Sequence, residues 1–353
     1  MNNIQISIIA PVYKVEKYIE RFLMSVMRQT YDHTKIECIL VDDCTPDHSM
    51  ELAKIIVDRE NTDITFVYLR NQHNAGPSVS RNTGVAETRG KYILFLDSDD
   101  FIMPNCIQLM MEQVFLHPGV DVVLGNFFHD KIGGGLKVKS DVIPLFQDVP
   151  HKIFSLYLRD ILPMTCWNVL IRRSLVEDNH LQFARGVLQE DILWSFHLYR
   201  CTTKMAFVPE VTYQYCDNEG SIMNKVKNVS SFAYSYCFIL SEVCGYVDYV
   251  NYVDFMVFVL RLMFRGFDYA LQPNVDRQYI KQLKGIRNKL FFRMIKDGRI
   301  VLSSAFLLLY RPLYYITHWR IYRRYYDHWI NVVRIVATSF NCLHRGKRAE
   351  LIY

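Results

Sequence analysis

The sequence predicts an α/β protein, with a mostly parallel sheet flanked by helices and a helical region at its C-terminal end. Two observations support this prediction. Short apolar runs alternate with amphipathic stretches of helical period through roughly the first 125 residues, which is typical of βαβ units. From about Asp248 onward the pattern is helical throughout and rich in aromatic residues.

The N-terminal elements follow one another regularly. A first strand is predicted over residues 4–12, and apolar residues at helical spacing over 15–26 predict the helix that follows it. Second and third strands are predicted over 36–41 and 64–69, with a helix over 49–60 between them. This order of strand, helix and strand is expected of parallel strands joined by crossover helices.

The next elements surround the most distinctive stretch of the chain. Residues 77–88 are predicted to be helical, because a Gly-Pro pair is a favourable start for a helix. The continuous apolar run 92–96 predicts a strand buried on both faces. A helix over 105–117 and a fifth strand over 120–124 complete this part of the prediction.

Composition excludes several classes of protein. Half of the 353 residues are hydrophobic and 22% are charged, which excludes a disordered chain and a polytopic membrane protein. The nine cysteines are scattered and form no C-x-x-C pair, which argues against a disulfide framework or a zinc site. The N-terminal residues show no signal-peptide pattern, so we expect a cytoplasmic protein.

Three carboxylates follow the central strand within four positions. Asp97, Asp99 and Asp100 come directly after the buried run, and ligands of open α/β sheets bind beyond the carboxyl ends of the strands. Carboxylates are hard oxygen ligands suited to Mg²⁺ or Mn²⁺, and so to a metal-bound phosphate. The alternative is an acidic turn that caps the next helix, because Asp is favoured at turns and N-caps. The segment alone leaves both interpretations open.

Five short motifs, taken together, resemble those of the inverting nucleotide-sugar glycosyltransferases of family 2, which have the Rossmann-like GT-A fold. The resemblance covers residues 4 to about 222. Each motif is weak alone, but each lies at a loop beyond a predicted strand or opens a helix. The motifs are Ser7–Tyr13, Val41–Asp43, Asn74–Gly84, Asp97–Asp100 and Glu190–Asp191.

The resemblance implies an enzyme of the bacterial surface-polysaccharide type, which acts in building the cell envelope. Such an enzyme moves a sugar from a nucleoside-diphosphate sugar, here expected to be a UDP-sugar, to a hydroxyl of a glycan or lipid-linked acceptor. It also implies a catalytic domain over 1–225, with a nucleotide half of about 1–125 and an acceptor half of about 126–225. Residues 226–353 would then form a separate helical, aromatic and basic region.

The resemblance implies that Pro11 and Tyr13 line the nucleoside pocket and that Asp42 accepts a hydrogen bond from uracil N3–H. An ionised carboxylate only accepts, so it suits a base edge that carries a donor. For Tyr13, a structural role in its loop is the alternative. Asn74 and Gly76 resemble the loop that closes over the nucleotide.

Arg81 resembles a residue of the helix behind that loop. Its guanidinium offers five donors in a planar fork, which suits phosphate or carboxylate. The alternative is a salt bridge to the aspartate cluster, which would support the same site. Both interpretations therefore place Arg81 at the donor.

The catalytic carboxylates fall into two groups. Asp99 is implied to hold a divalent ion, Mn²⁺ or Mg²⁺, with Asp97 near the ribose and the metal, and Asp100 is a further candidate ligand. Asp191 matches the general base that removes the acceptor proton in a single displacement with inversion. In isolation, Glu190 and Asp191 would be ordinary first-turn acids that complement the helix dipole.

The acceptor side is the least well defined. Trp167 occupies a position where relatives often place an aromatic side chain, and a sugar face stacks well on an indole, although a core tryptophan is the alternative. Glu190 is a second, weak candidate for acceptor contact. The chain departs from the usual pattern at Val169, where relatives commonly carry lysine, and at Cys44, where glycine is common. Neither departure touches the metal, the leaving group or the base.

Three rival functions remain to be distinguished. A dinucleotide oxidoreductase would need a G-x-G-x-x-G after the first strand, and the sequence has none there. A sugar nucleotidyltransferase would need a glycine-rich basic loop after Val12, which is also absent. A catalytically inactive nucleotide-sugar-binding protein would not need both Asp99 and Asp191.

The C-terminal tail is strongly basic. Residues 271–353 contain 16 Lys and Arg against 4 Asp and Glu. The uncharged run 300–310 has 11 residues, well below the ~20 that cross a bilayer. Interleaved arginines and aromatics further on, over 320–329, predict a helix lying on an anionic membrane surface, so we expect a peripheral protein on the inner face of the cytoplasmic membrane. Packing on the catalytic domain is the alternative, and nucleic-acid binding is not expected.

Overall fold

The computed structural model describes residues 4–129, 142–216, 229–248 and 250–296. The chain divides into two compact units, Met1–Lys227 and Asn228–Tyr353. The first unit contains the sheet, and the second contains helices.

Four strands form a parallel half of the sheet, in the order β3-β2-β1-β4. They are β1 (Ile6–Val12), β2 (Ile36–Asp42), β3 (Thr65–Arg70) and β4 (Tyr92–Phe95). The helices between them are α1 (Ile19–Met27), α2 (Ser49–Glu60) and α3 (Pro77–Ala86). Every residue of β2 and β4 is buried, as expected for strands covered on both faces.

The other half of the sheet is mixed. Its strands are β5 (Phe101–Ile102), β6 (Val122–His129), β7 (Phe146–Gln147), β8 (Val169–Arg172) and β9 (Met205–Tyr215). β8 lies antiparallel between β4 and β6, β9 pairs with β6 in parallel, and β5 and β7 run antiparallel to β9. The helices are α4 (Cys106–Leu116), α5 (Pro150–Leu158), α6 (Arg173–Asp178) and α7 (Glu190–Cys201).

A hydrophobic core fixes the strands that carry the site. On α1, Ile19, Phe22, Leu23 and Val26 are buried at helical spacing, so one face of this helix packs into the core. That core includes Leu94 and other residues of the central strands. Buried apolar surface on this scale holds the loops that leave the strand ends in defined positions.

Most N-terminal elements lie where the sequence predicts them. α2 has the predicted bounds, and β1 begins two residues later than predicted. α1 begins at Ile19 instead of residue 15. The backbone N–H groups of Lys14 and Val15, in the segment before it, donate to side-chain hydroxyls of Thr45 and Ser49. The chain between β1 and α1 is thereby tied to the start of α2.

Four strands and two helices, namely β5, β7, β8, β9, α5 and α6, are not predicted from the sequence. β5 and β7 have two residues each and β8 has four, which is too short for a periodic pattern. β9 contains Pro209 and Glu210, which interrupt its apolar run, and its pairing with β6 shifts register between Gly125 and Phe127. The formation of these strands therefore depends on pairing with segments that are distant in sequence.

The second unit contains three described helices: α8 (Val229–Gly245), α9 (Tyr252–Ala270) and α10 (Gln278–Lys296). Tyr269 of α9 stacks on Phe232 and Tyr236 of α8, with ring centroids 4.8 and 5.6 Å apart. The predicted helical, aromatic character of this region is thus confirmed as far as Lys296. The tail segments 300–310 and 320–329 lie outside the described residues. Among the described helices, none combines the length and the apolar character needed to cross a bilayer.

Candidate active site

The parallel strands bring three of the motifs to one edge of the sheet. In register, Val12 at the end of β1 lies opposite Asp42 at the end of β2, and Ile9 lies opposite Phe95 at the end of β4. The hydroxyl of Ser98 donates to the carbonyl oxygen of Pro11 at 2.6 Å. The aspartate motif after β4 is therefore hydrogen-bonded directly to the end of β1.

The three aspartates after β4 form a cluster that could hold a divalent cation. Oxygens of Asp97, Asp99 and Asp100 lie within 4.8 Å of one another. All are hard carboxylate donors, the kind that Mg²⁺ and Mn²⁺ prefer, so the residues present fit such an ion. The guanidinium of Arg21 donates to the carbonyl oxygen of Asp99 at 2.6 Å and fixes the backbone of the motif.

Asp100 differs from the other two because it is buried and both of its oxygens accept hydrogen bonds. The Tyr213 hydroxyl donates at 2.6 Å and the backbone N–H of Cys216 at 2.7 Å. Burial, together with the charges of Asp97 and Asp99, raises the pKa of Asp100 to about 8. Asp100 therefore joins the aspartate motif to the end of β9, and its share in metal binding stays a prediction.

Arg81 on α3 connects Asp97 of the aspartate cluster with the start of α7. Its Nη2 lies 2.8 Å from Asp97 Oδ1, and its Nη1 lies 2.7 Å from Glu190 Oε1 and 3.5 Å from Asp191 Oδ1. The ion pair expected as the alternative role of Arg81 is therefore present. One buried cation thus forms ion pairs with three carboxylates from two separate motifs.

Aromatic rings fix the position of that guanidinium. Arg81 lies over the ring of Phe183, with 5.3 Å between the guanidinium carbon and the ring centroid. Trp194 of α7 stacks on the same phenylalanine, with centroids 4.0 Å apart. Asn82 exchanges two hydrogen bonds of 2.9 Å with the backbone of Phe183, so α3 and the chain before α7 are held together.

Asp191 lies in the first turn of α7, where the helix dipole favours negative charge. Its Oδ1 is buried and accepts no hydrogen bond from the described part of the chain. Burial raises the pKa of Asp191 to about 7, and the nearby Arg81 cation opposes that rise. A carboxylate with this pKa is suited to take a proton near neutral pH. Glu190 is buried against Arg81.

Asp43 holds the loop that leads into α3, a role that the sequence motifs did not reveal. Its oxygens accept from Asn71 Nδ2 at 2.7 Å, from the Ala75 N–H at 2.9 Å and from the Gly76 N–H at 2.8 Å. Gly76 has a φ of 86°, which favours glycine, and so gives this loop its shape. Asn74, a predicted donor contact, is exposed at the tip of the loop.

The remaining predicted residues occupy different environments. Asp42 accepts from the Thr45 N–H at 2.7 Å, and its other oxygen lies 3.5 Å from Arg70 Nε. Tyr13 is 39% exposed beside the end of β1, where a ligand could reach it. The predicted roles of Asp42 and Tyr13 in a nucleoside pocket stay predictions.

Trp167 is only 6% exposed and belongs to the core. It stacks on Tyr213 with centroids 4.5 Å apart and on Tyr215 at 5.6 Å. Trp167 is therefore packed as a core tryptophan, which is the alternative that the sequence leaves open. Its predicted acceptor contact stays a prediction.

Comparison with known proteins identifies the family. Residues 7–179 match the family model described as Glycosyl transferase family 2. Residues 7–179 therefore form a domain of that family. The putative glycosyltransferase EpsH of Bacillus subtilis (strain 168) is 32% identical over 225 residues, which are 62% of this chain and 63% of EpsH. The match to GlyA of Streptococcus pneumoniae covers 31% of that protein, so the chain spans less than two thirds of the length of both relatives.

Solved structures of other transferases support the same fold. The crystal structure of S. aureus TarS 1–349 in complex with UDP-GlcNAc has a TM-score of 0.68 at 20% identity, over 88% of this chain and 89% of that one. The mannosyltransferase PcManGT from Pyrobaculum calidifontis, in complex with GDP-Man and Mn²⁺, has a TM-score of 0.55 at 12% identity, over 94% and 86%. The predicted GT-A fold is confirmed.

Proposed function

We propose that this family 2 protein is an inverting, metal-dependent glycosyltransferase that uses a UDP-sugar. The observation that carries the proposal is the position of Arg81, which pairs with Asp97 of the aspartate cluster and with Glu190 and Asp191 of α7. A donor carboxylate and a candidate base are thus held around a single guanidinium. A direct displacement needs these two groups near one sugar.

Each carboxylate has a separate task in this reaction. Asp99 and Asp97 would hold the divalent ion, Mn²⁺ or Mg²⁺, with Asp100 as a third candidate. When bound, the ion supplies charge neutralisation for the diphosphate leaving group. Asp191 accepts the proton of the attacking hydroxyl, while Arg81 keeps that carboxylate oriented.

The donor nucleoside would lie at the end of β1 and β2. Pro11 and Tyr13 would line its pocket, and Asp42 would accept the uracil N3–H. The loop that Asp43 fastens, with Gly76 at its end, would cover the diphosphate. The complex of TarS with UDP-GlcNAc, a structure of the same fold, is consistent with a UDP-sugar donor.

We propose that the acceptor is a growing glycan or a lipid-linked glycan of a bacterial surface polysaccharide. TarS of Staphylococcus aureus, 24% identical over 220 residues, is named a poly(ribitol-phosphate) β-N-acetylglucosaminyltransferase, so a relative modifies a ribitol-phosphate polymer. Trp167 and Glu190 are the candidate acceptor contacts. Glycans built in the cytosol are commonly assembled on lipid carriers, which favours a peripheral position on the inner face of the cytoplasmic membrane.

A donor screen tests the proposal. The purified full-length chain is incubated with Mn²⁺ and, in turn, with common UDP-sugars and GDP-mannose, and the release of nucleoside diphosphate is followed. We expect slow release from one or more UDP-sugars, faster when an acceptor glycan is present. Binding of UDP without any release, from any donor, would instead indicate a catalytically inactive binding protein.

A further inference from the structure

Helix α10, in the second unit, has an unbalanced charge. Over the 19 residues Gln278–Lys296 it contains six Lys and Arg and no Asp or Glu. A surface helix that only packs on its own protein commonly mixes both signs of charge. The distribution of these cations around the helix therefore needs an explanation.

One side of α10 packs on the two helices before it. Leu283 and Leu290, seven residues apart and so on the same side, are both buried. A methyl group on Gly266 of α9 would approach Leu283 Cδ2 to 3.2 Å, so the absence of a side chain there admits α10 closely. The buried side of α10 is thus accounted for.

The opposite side is exposed and basic. At about 100° per residue, Lys281, Lys289, Phe292 and Lys296 fall within an arc of about 80°, centred away from the two buried leucines. All four are exposed, and Phe292 is 67% exposed despite its size. A large aromatic side chain in water between three ammonium groups is not explained by packing within the described residues.

We propose that this side of α10 docks on an anionic lipid surface. Three lysines on one side of a helix match a layer of negatively charged headgroups, and an aromatic ring between them can enter the boundary between headgroups and acyl chains. The sequence predicts membrane association for residues 320–329. The proposal adds a second lipid-binding segment, helix α10. This docking does not depend on the proposed transfer reaction.

Lipid is favoured over nucleic acid because only one aromatic ring lies between the lysines on the exposed side of α10. Binding to single-stranded nucleic acid combines cations with several aromatic rings on which successive bases stack. The exposed side of α10 offers one ring, and its charged neighbours on the arc are lysines. This composition suits an interfacial helix.

Vesicle binding of the full-length chain tests the proposal in the absence of any sugar donor. Vesicles of equal parts phosphatidylglycerol and phosphatidylcholine are compared with pure phosphatidylcholine in sedimentation assays. In the triple variant Lys281→Gln, Lys289→Gln, Lys296→Gln we expect affinity for the anionic vesicles to fall on the order of 100-fold, because each cation near such a surface contributes separately. The single variant Phe292→Gln should weaken binding about tenfold.

Matched variants control for total charge and folding. The triple variant Arg28→Gln, Lys152→Gln, Arg159→Gln removes three exposed cations from the first unit and should bind vesicles like wild type. Replacing the three α10 lysines by arginine should also preserve binding and the thermal unfolding midpoint. This second set keeps the test decisive if the glutamine variant folds poorly.

Several results would overturn the proposal. Wild-type binding that is equal for both vesicle types, or absent for both, would remove the basis for an anionic lipid partner. Unchanged binding by the α10 glutamine variant would assign any lipid binding to another part of the chain. Tight binding of a short RNA, with none of anionic vesicles, would identify nucleic acid as the partner instead.

Discussion

Replacing Arg81 by glutamine removes the one cation that, within the described residues, is shared by Asp97 of the aspartate cluster and the two acids at the start of α7. In the wild-type chain its two terminal nitrogens lie 2.7–3.5 Å from oxygens of Asp97, Glu190 and Asp191. Glutamine retains a polar end but no charge, and it cannot reach all three carboxylates at once. The variant therefore leaves three carboxyl groups without their shared cation at the edge of a hydrophobic core.

The magnitude follows from how far these groups are buried. Breaking a buried ion pair by removing one partner costs ~3–5 kcal/mol. The Arg81 side chain is 5% exposed, but those of Asp97 and Asp191 are 28% and 23% exposed, so water can partly replace the lost cation. We therefore expect the free energy of unfolding to fall by about 3 kcal/mol, at the lower end of that range.

The same substitution should change the pH dependence of transfer. Arg81 lowers the pKa of Asp191, which burial and the neighbouring acids raise to about 7. Without the cation that pKa rises further. Since a general base acts only when deprotonated, the acidic limb of the kcat profile should move to higher pH, and activity at pH 7 should fall more than activity at pH 9.

The assays are urea unfolding and kcat measured from pH 5.5 to 9.5, with Arg89→Gln as the control. Arg89 pairs with buried Glu37 but lies away from the strand ends that carry the site. The control should lose stability and keep the wild-type pH profile. An Arg81→Gln enzyme whose acidic limb coincides with that of wild type would refute the link between Arg81 and the base.

Three further predictions concern the metal, the donor loop and the core. EDTA should abolish turnover, and Mn²⁺ or Mg²⁺ should restore it. Asp99→Asn should lose both activity and metal-dependent UDP binding. Full activity of this variant in EDTA would exclude the metal role. Asp43→Asn should raise KM for the donor roughly tenfold with less effect on kcat, because three hydrogen bonds to the loop of Gly76 weaken; an unchanged KM would mean that the loop does not contact the donor. Gly90→Ala should lower the free energy of unfolding by ~1–3 kcal/mol, because the added Cβ would lie 2.7 Å from the Ser7 backbone nitrogen. An unchanged free energy of unfolding in urea would contradict that packing.

The first half of the fold could be predicted because its signals are local. Each of the strands β1 to β4 is a short apolar run, and the helix from Ser49 to Glu60 begins after a Thr-Pro-Asp sequence that favours a helix start. The second half depends on pairing between distant segments. In β8, Leu170 lies opposite Leu94 of β4 on one side and Val123 of β6 on the other. A strand of four residues is too short for its hydrophobic periodicity to predict this pairing.

The site could be predicted in outline for a related reason. Its carboxylates follow strands or open a helix, where the motif order makes them recognisable. The residues that hold them are harder to find. Tyr213 and Cys216 bind Asp100 across more than 110 positions of sequence, and Phe183 is a single aromatic residue in an irregular segment. Asp43 lies within a recognised motif, but its loop partners depend on the fold.

We propose that Asp191 is the base of the sugar transfer and takes no part in holding the donor. For Asp191→Asn, kcat with the donor found in the screen and the Kd for UDP with Mn²⁺ are both measured, with Asp178→Asn, an exposed acid on α6, as the control. We expect kcat to fall by ~100-fold or more while the Kd for UDP stays within about threefold of wild type, because a base acts only in the transition state. Retention of more than about a tenth of wild-type transfer, or an equal loss of UDP binding, would contradict the assignment.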